Sequence, residues 1–217
     1  MSLLGRLSPL GDLKTKQLIK SAVETYSLVY FGTVSQTDDE HATVKGVTFS
    51  PRHIDHHYSV GTVEGFDVTL LQRTDSLSAP GKPIENYRWL LLRVSLKPSI
   101  KLSHVLVDTA QYNQTYYANL FAKFSRLNSA KHCFEGPAYG EFSQAFHCYT
   151  TPDNLDHLAG LIGPDTAQTI LQHFPKFDVE WFDNQIIISS PEPLVSSRTI
   201  EMMLREALWL ARYFESV

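Results

Sequence analysis

The chain has 217 residues, 43% of them hydrophobic and 12% aromatic, with 19 Lys and Arg against 23 Asp and Glu. That supplies apolar surface for one large core or two small ones and excludes intrinsic disorder. The net charge of −4 excludes a Lys/Arg-rich surface that tracks a phosphate backbone, so no nucleic-acid partner is expected.

Leu13 to Tyr26 reads as the first helix, because Leu18, Ile19, Ala22, Val23 and Tyr26 follow the helical period. Lys14, Lys16 and Lys20 form its basic face. Strands are expected at Ser27–Val34, Thr43–Phe49, Tyr58–Val63 and Phe66–Gln72, which are rich in Val, Thr and aromatics. Glu64-Gly65 has the composition of a tight hairpin turn. The stretch from Arg73 to Asn86 holds Pro, Gly and Ser and reads as an exposed loop. Tyr87–Leu96 is the strongest strand, with Leu90, Leu92, Val94 and Leu96 on one side, and His104–Val107 is a shorter one.

Tyr112–Leu127 follows as a helix, then a loop-like stretch at 128–141 and a strand at Ala145–Thr150. Pro152 and Pro164 each suit the first residue of a short helix, where a missing N–H costs nothing. Lys176–Phe182 and Gln185–Ser189 pair as a second hairpin around Asp183-Asn184. Ser197 to Phe214 is the final helix. This order lacks βαβ alternation, so the expected fold is α+β, a mainly antiparallel sheet covered by N-terminal, central and C-terminal helices. Residues 1–217 read as a single domain, with two subdomains divided near 128–141 as the other arrangement.

The opening residues are interrupted by Gly5, Arg6, Pro9 and Gly11, and nowhere do 18 apolar residues run together. No signal sequence or transmembrane segment is expected. Two cysteines, Cys133 and Cys148, make no disulfide framework, so the expected compartment is the cytoplasm.

Phe142-x3-Phe146-x2-Tyr149, Ile162-Gly163-Pro164 with Ile170-Leu171, and Phe177-Asp178-Val179-Glu180 resemble the C-terminal half of uncharacterised bacterial domain-of-unknown-function families. The stretch from Gly61 to Val68 and the ending Trp209-Leu210-Ala211 fit the same resemblance, which spans residues 27–215. Some relatives carry transmembrane helices ahead of the domain, and this chain is expected to be a soluble form without them. The resemblance implies no catalytic residues.

The segment from His53 to His57 is the first candidate for chemistry. His53, Asp55 and His57 are candidate ligands for a divalent metal, since imidazole and carboxylate suit zinc and its neighbours. Residues four apart on a regular strand stand roughly 13 Å apart, so one ion takes only part of the set and needs further ligands, as from Asp38–His41. The plainer reading is a polar strand end. The two His-Cys dipeptides fit buried or free thiols better than zinc, because neighbours along a strand point to opposite faces. Asp178 and Glu180 share one side of a strand; with Phe177, Val179 and Trp181 opposite, that side is expected to face solvent. No nucleophile elbow or phosphate-binding glycine loop occurs.

In the final helix, Ile200, Met203, Leu204, Ala207, Leu208 and Ala211 form the core stripe. Met202, Trp209 and Tyr213 form a second one, either sandwiched within the protein or free for a partner. The leading expectation is a non-catalytic interaction module that binds a protein partner or itself through Met202, Trp209 and Tyr213, with no cofactor. The alternative is a metal-dependent hydrolase using His53, Asp55 and His57 with a divalent ion. A third option is peripheral membrane contact through the basic first helix.

Overall fold

The computed structural model describes residues 9–34, 44–46, 53–77, 85–109, 127–174, 176–191 and 196–216. Helix α1 (Pro9–Thr25) leads into a meander of β1 (Val29–Val34), β2 (Ile54–Val63), β3 (Phe66–Leu77) and β4 (Glu85–Ser95). Strand β5 (Leu102–Thr109), the two-residue β6 (Asn128–Ser129), helix α2 (Gly140–Ala145) and β7 (Phe146–Thr150) follow. Helices α3 (Leu155–Leu161) and α4 (Pro164–His173) precede the hairpin β8 (Asp178–Asp183) and β9 (Gln185–Pro191), and α5 (Ser197–Ser216) closes the fold.

These strands form one antiparallel sheet in the order β1-β2-β3-β4-β9-β8-β5-β7-β6. The late β8–β9 hairpin therefore sits between β4 and β5. The β2–β3 turn is set by Glu64 (φ 52°) and Gly65 (φ 88°), the paired left-handed residues that match the twist of a tight hairpin.

The five α-helices among the described residues lie against one face of the sheet. Ile19 and Ala22 of α1, Leu158 of α3, Ile170 of α4 and the stripe from Ile200 to Phe214 of α5 pack on Leu70, Leu90, Leu92, Val179, Trp181 and Ile188. The stripe expected from Ile200, Met203, Leu204, Ala207, Leu208 and Ala211 is buried in full. The opposite face is buried as well, around Tyr58, Leu71, Trp89, Leu91, Leu106 and Ile187. The expected α+β class is what forms.

Three local readings change. Arg73–Asn86 is not all loop: β3 runs on to Leu77 and β4 begins at Glu85, extended by a register that pairs Arg73 with Trp89 and Asp75 with Tyr87. Both ladders outlast their apolar residues because polar side chains on the second face find partners there. Val44–Gly46, within the expected strand Thr43–Phe49, is not strand, and the rest of that stretch lies outside the described residues, as do most of the expected helix Tyr112–Leu127 and Asp38–His41. Residues 128–141 are ordered as β6 and two 3-10 turns, Lys131–Phe134 and Pro137–Tyr139, that bury Phe134.

Candidate functional site

The second face of the sheet carries most of the buried ionisable groups. Asp55 on β2 and Arg73 on β3 are cross-strand partners, and Arg73 donates from Nε to Oδ1 (2.7 Å) and from Nη2 to Oδ2 (2.8 Å). Arg73 Nη2 also donates to the Val44 carbonyl at 2.8 Å. The pair is almost wholly buried, where a two-pronged guanidinium–carboxylate bond is strong enough to hold both charges.

This arrangement bears directly on His53, Asp55 and His57. His53 Nε2 lies 3.9 Å from Asp55 Oδ2. His57 sits at a bulge with φ 56°, and its Nδ1 is 2.8 Å from the Tyr30 hydroxyl. The structure therefore brings His53 to Asp55, whose two oxygens both bind Arg73, and places His57 with Tyr30. Among the described residues no group of three or more His, Cys, Asp or Glu converges as a metal site would require.

Asp178 and Glu180 overturn the expected solvent-facing side, since both are buried. Their alternation with Val179 and Trp181 is as read, but alternation reports which side a residue takes, not whether that side is wet. Glu180 lies beside the His104 ring, Oε1 to Nε2 at 2.5 Å. Asp178 Oδ1 accepts from the Thr109 backbone N–H (2.9 Å) and hydroxyl (2.7 Å).

Next to Asp178 stands Asp108 on β5, fully buried, with no donor to either oxygen among the described residues. His147 Nδ1 is 3.9 Å away. Burial first, then the negative charge of Asp178 and hydrogen bonding to it, push the Asp108 carboxyl up to about 9. The proton on Asp108 lets one of the two adjacent carboxyl groups donate to the other. Burial likewise pushes the Cys148 thiol up, so it stays protonated, and Cys133 and Cys148 are unpaired.

The second candidate surface is the outward side of α5. Met202 and Trp209 are half-buried against the core, while Tyr213 is exposed. His173, the last residue of α4, stacks on Trp209 with ring centroids 4.8 Å apart and planes 3° from parallel. Tyr213 continues the stack on Trp209 at 6.0 Å and 14°. Glu206 fixes this array: Oε2 meets His173 Nδ1 at 2.5 Å, and Oε1 accepts from Arg205 Nε (2.9 Å) and Nη2 (2.6 Å). Trp209 and Tyr213 meet as i, i+4 neighbours on the helix, and Met202 lies two turns earlier on the same side.

No family model matches the chain, and no curated protein matches it in sequence. Among solved structures it is similar to the crystal structure of the mycobacterial trehalose monomycolate transport factor A, TtfA. The TM-score is 0.61 at 11% identity, over 91% of this chain and 92% of that one. The two share a fold. TtfA is a bacterial protein, and identity this low shows the fold alone. No helix among the described residues is long and apolar enough to cross a membrane.

Sequence reasoning missed Arg73, Asp108, His173 and Glu206. A signal for the first two was present: Leu70-Leu71, Trp89–Leu92 and Ile186–Ile188 are unbroken apolar runs, the mark of strands buried on both faces. Polar residues alternating within such strands must find partners inside. His173 and Glu206 lie 33 residues apart and no local pattern joins them.

Proposed function

We propose that the chain is a non-catalytic factor that binds a protein partner through the outward side of α5, using Met202, Trp209 and Tyr213, as one component of a transport assembly. The observation that carries this reading is the ring stack His173–Trp209–Tyr213, held in place by Glu206 and presented on the outer side of the helix layer. Rigid aromatics with part of their surface free are the usual anchors of interfaces, because little side-chain entropy is lost when they are covered. The likeness to a protein named as a transport factor supports the assembly part of the reading. We treat residues 1–217 as a single unit, a view supported by the insertion of the C-terminal hairpin between β4 and β5.

The test is Trp209→Ala, followed by thermal melting and by size-exclusion with light scattering in the presence of the native partner complex. The reading expects a folded variant with association lost. Unchanged association would contradict it. A wild-type homodimer dispersed by the substitution would replace the foreign partner with a second copy of this chain.

A further inference from the structure

The start of α5 borders a cavity of about 400 Å³, lined by Lys176, Phe177, Ser190, Arg198, Thr199 and Met202 among others. We infer that this cavity binds a phosphoryl-type oxyanion carried on an apolar group. Three independent features converge on that chemistry.

The first is the helix terminus. Helix α5 is 20 residues long, its first turn holds no acidic residue, and its leading N–H groups have no intrahelical partner. Ser196 and Thr199 cap each other, Thr199 N to Ser196 Oγ at 3.1 Å and Ser196 N to Thr199 Oγ1 at 3.2 Å. That cap uses one donor of the first turn, and the N–H groups of Ser197 and Arg198 precede it.

The second is charge. Lys176 and Arg198 both line the cavity and are exposed, and no carboxylate lines it among the described residues. An arginine fork beside a helix N-terminus suits a tetrahedral oxyanion.

The third is a polar group awaiting a partner. Ser190 on β9 is 1% exposed, and its Oγ has no hydrogen-bond partner among the described residues. It lies on the helix-facing side of the strand, as Ile186 and Ile188 do, and forms part of the cavity floor. A buried hydroxyl without an acceptor is costly unless a ligand provides one. Phe177 and Met202 supply an apolar wall beside these donors, which is why the oxyanion is assigned to an amphiphile and not to a sugar phosphate. The cavity shares Met202 with the proposed partner surface but none of the stacked rings His173, Trp209 and Tyr213, so Trp209→Ala tests the partner surface and Arg198→Gln tests the cavity.

The experiment titrates the full chain with inorganic phosphate by calorimetry. In parallel it measures sedimentation with phosphatidylcholine vesicles with and without phosphatidic acid. Wild type, Arg198→Gln, Ser190→Ala and Trp209→Ala are compared. The inference expects phosphate binding that weakens about tenfold or more in Arg198→Gln, the factor for one charge-assisted hydrogen bond. Ser190→Ala should lower affinity while leaving the ligand-free melting temperature equal or higher, since an unsatisfied hydroxyl has been removed. Trp209→Ala should bind phosphate as wild type does. Binding of vesicles only when they contain phosphatidic acid, with loss in Arg198→Gln, identifies a lipid headgroup as the source. Phosphate binding without vesicle binding identifies a free phosphorylated amphiphile. No binding in either arm, or binding indifferent to both Arg198→Gln and Ser190→Ala, would overturn the inference.

Discussion

Replacing Asp108 with Asn should make the protein more stable at neutral pH, by an amount that grows with pH. The folded state holds a proton on Asp108 up to about pH 9, because the side chain is buried beside Asp178. In the unfolded chain an aspartate releases that proton near pH ~3.9. The folded pKa is the raised one, so the stabilising contribution is complete below the unfolded value. It declines as pH climbs and is exhausted once pH passes the folded value. Between those limits the folded state carries one proton more than the unfolded state, which costs about 1.4 kcal/mol per pH unit. Asn is a close mimic of the protonated acid: its amide donates to Asp178 and it has no proton to lose. Across the roughly three units between the unfolded pKa and neutrality, the advantage of Asp108→Asn reaches on the order of 4 kcal/mol. Urea unfolding followed by Trp fluorescence measures it, with the fully buried Trp89 and Trp181 as reporters. The difference between variant and wild type should climb steadily from about pH 5 to about pH 8. A constant difference across that range would refute the buried proton.

Three further outcomes follow from the geometry. Asp55→Asn or Arg73→Leu alone should cost about 3–5 kcal/mol in urea unfolding, because each strands a buried charge, whereas the double variant Asp55→Leu/Arg73→Leu should cost much less; equal losses in single and double variants would contradict the pairing. Gly61→Ala should lower stability by about 1–3 kcal/mol, since its Cβ would sit 2.8 Å from Leu28 Cδ2 and 3.2 Å from the Leu28 Cα, and backbone cannot swing aside. Zinc or a chelator should leave the melting temperature unchanged, because both Asp55 oxygens are already bound by Arg73; a zinc-dependent rise abolished by His53→Ala would restore the metal reading.

Much of the architecture was legible because period and turn chemistry agree locally. The α5 core stripe, the Glu64-Gly65 turn and Pro164 at the head of α4 each rest on residues within one turn of each other. What was not legible depends on the second covering of the sheet. From Asp178-Val-Glu180-Trp181 alone, one face apolar and one acidic is the ordinary sign of a half-wet strand. Only the pairing of β8 with β5, which sets Glu180 opposite Leu106 and brings Asp178 beside Thr109, shows those carboxylates to be interior. The extension of β3 past Gln72 has the same origin, as Arg73 and Asp75 look like loop residues until Trp89 and Tyr87 are placed against them. On α5, Met202, Trp209 and Tyr213 were visible as a stripe. The ring stacked on Trp209 comes from another helix and was not.

The partner surface is tested most directly by a photo-crosslinking amino acid at position 213, on the exposed end of the ring stack, in cells that make the protein natively. A second copy of the experiment carries the crosslinker at the exposed Ile54 of β2. The proposed contact predicts one discrete protein adduct from position 213, absent from position 54 and lost when Trp209→Ala is added. Equal labelling from both positions, or an adduct untouched by Trp209→Ala, would contradict it.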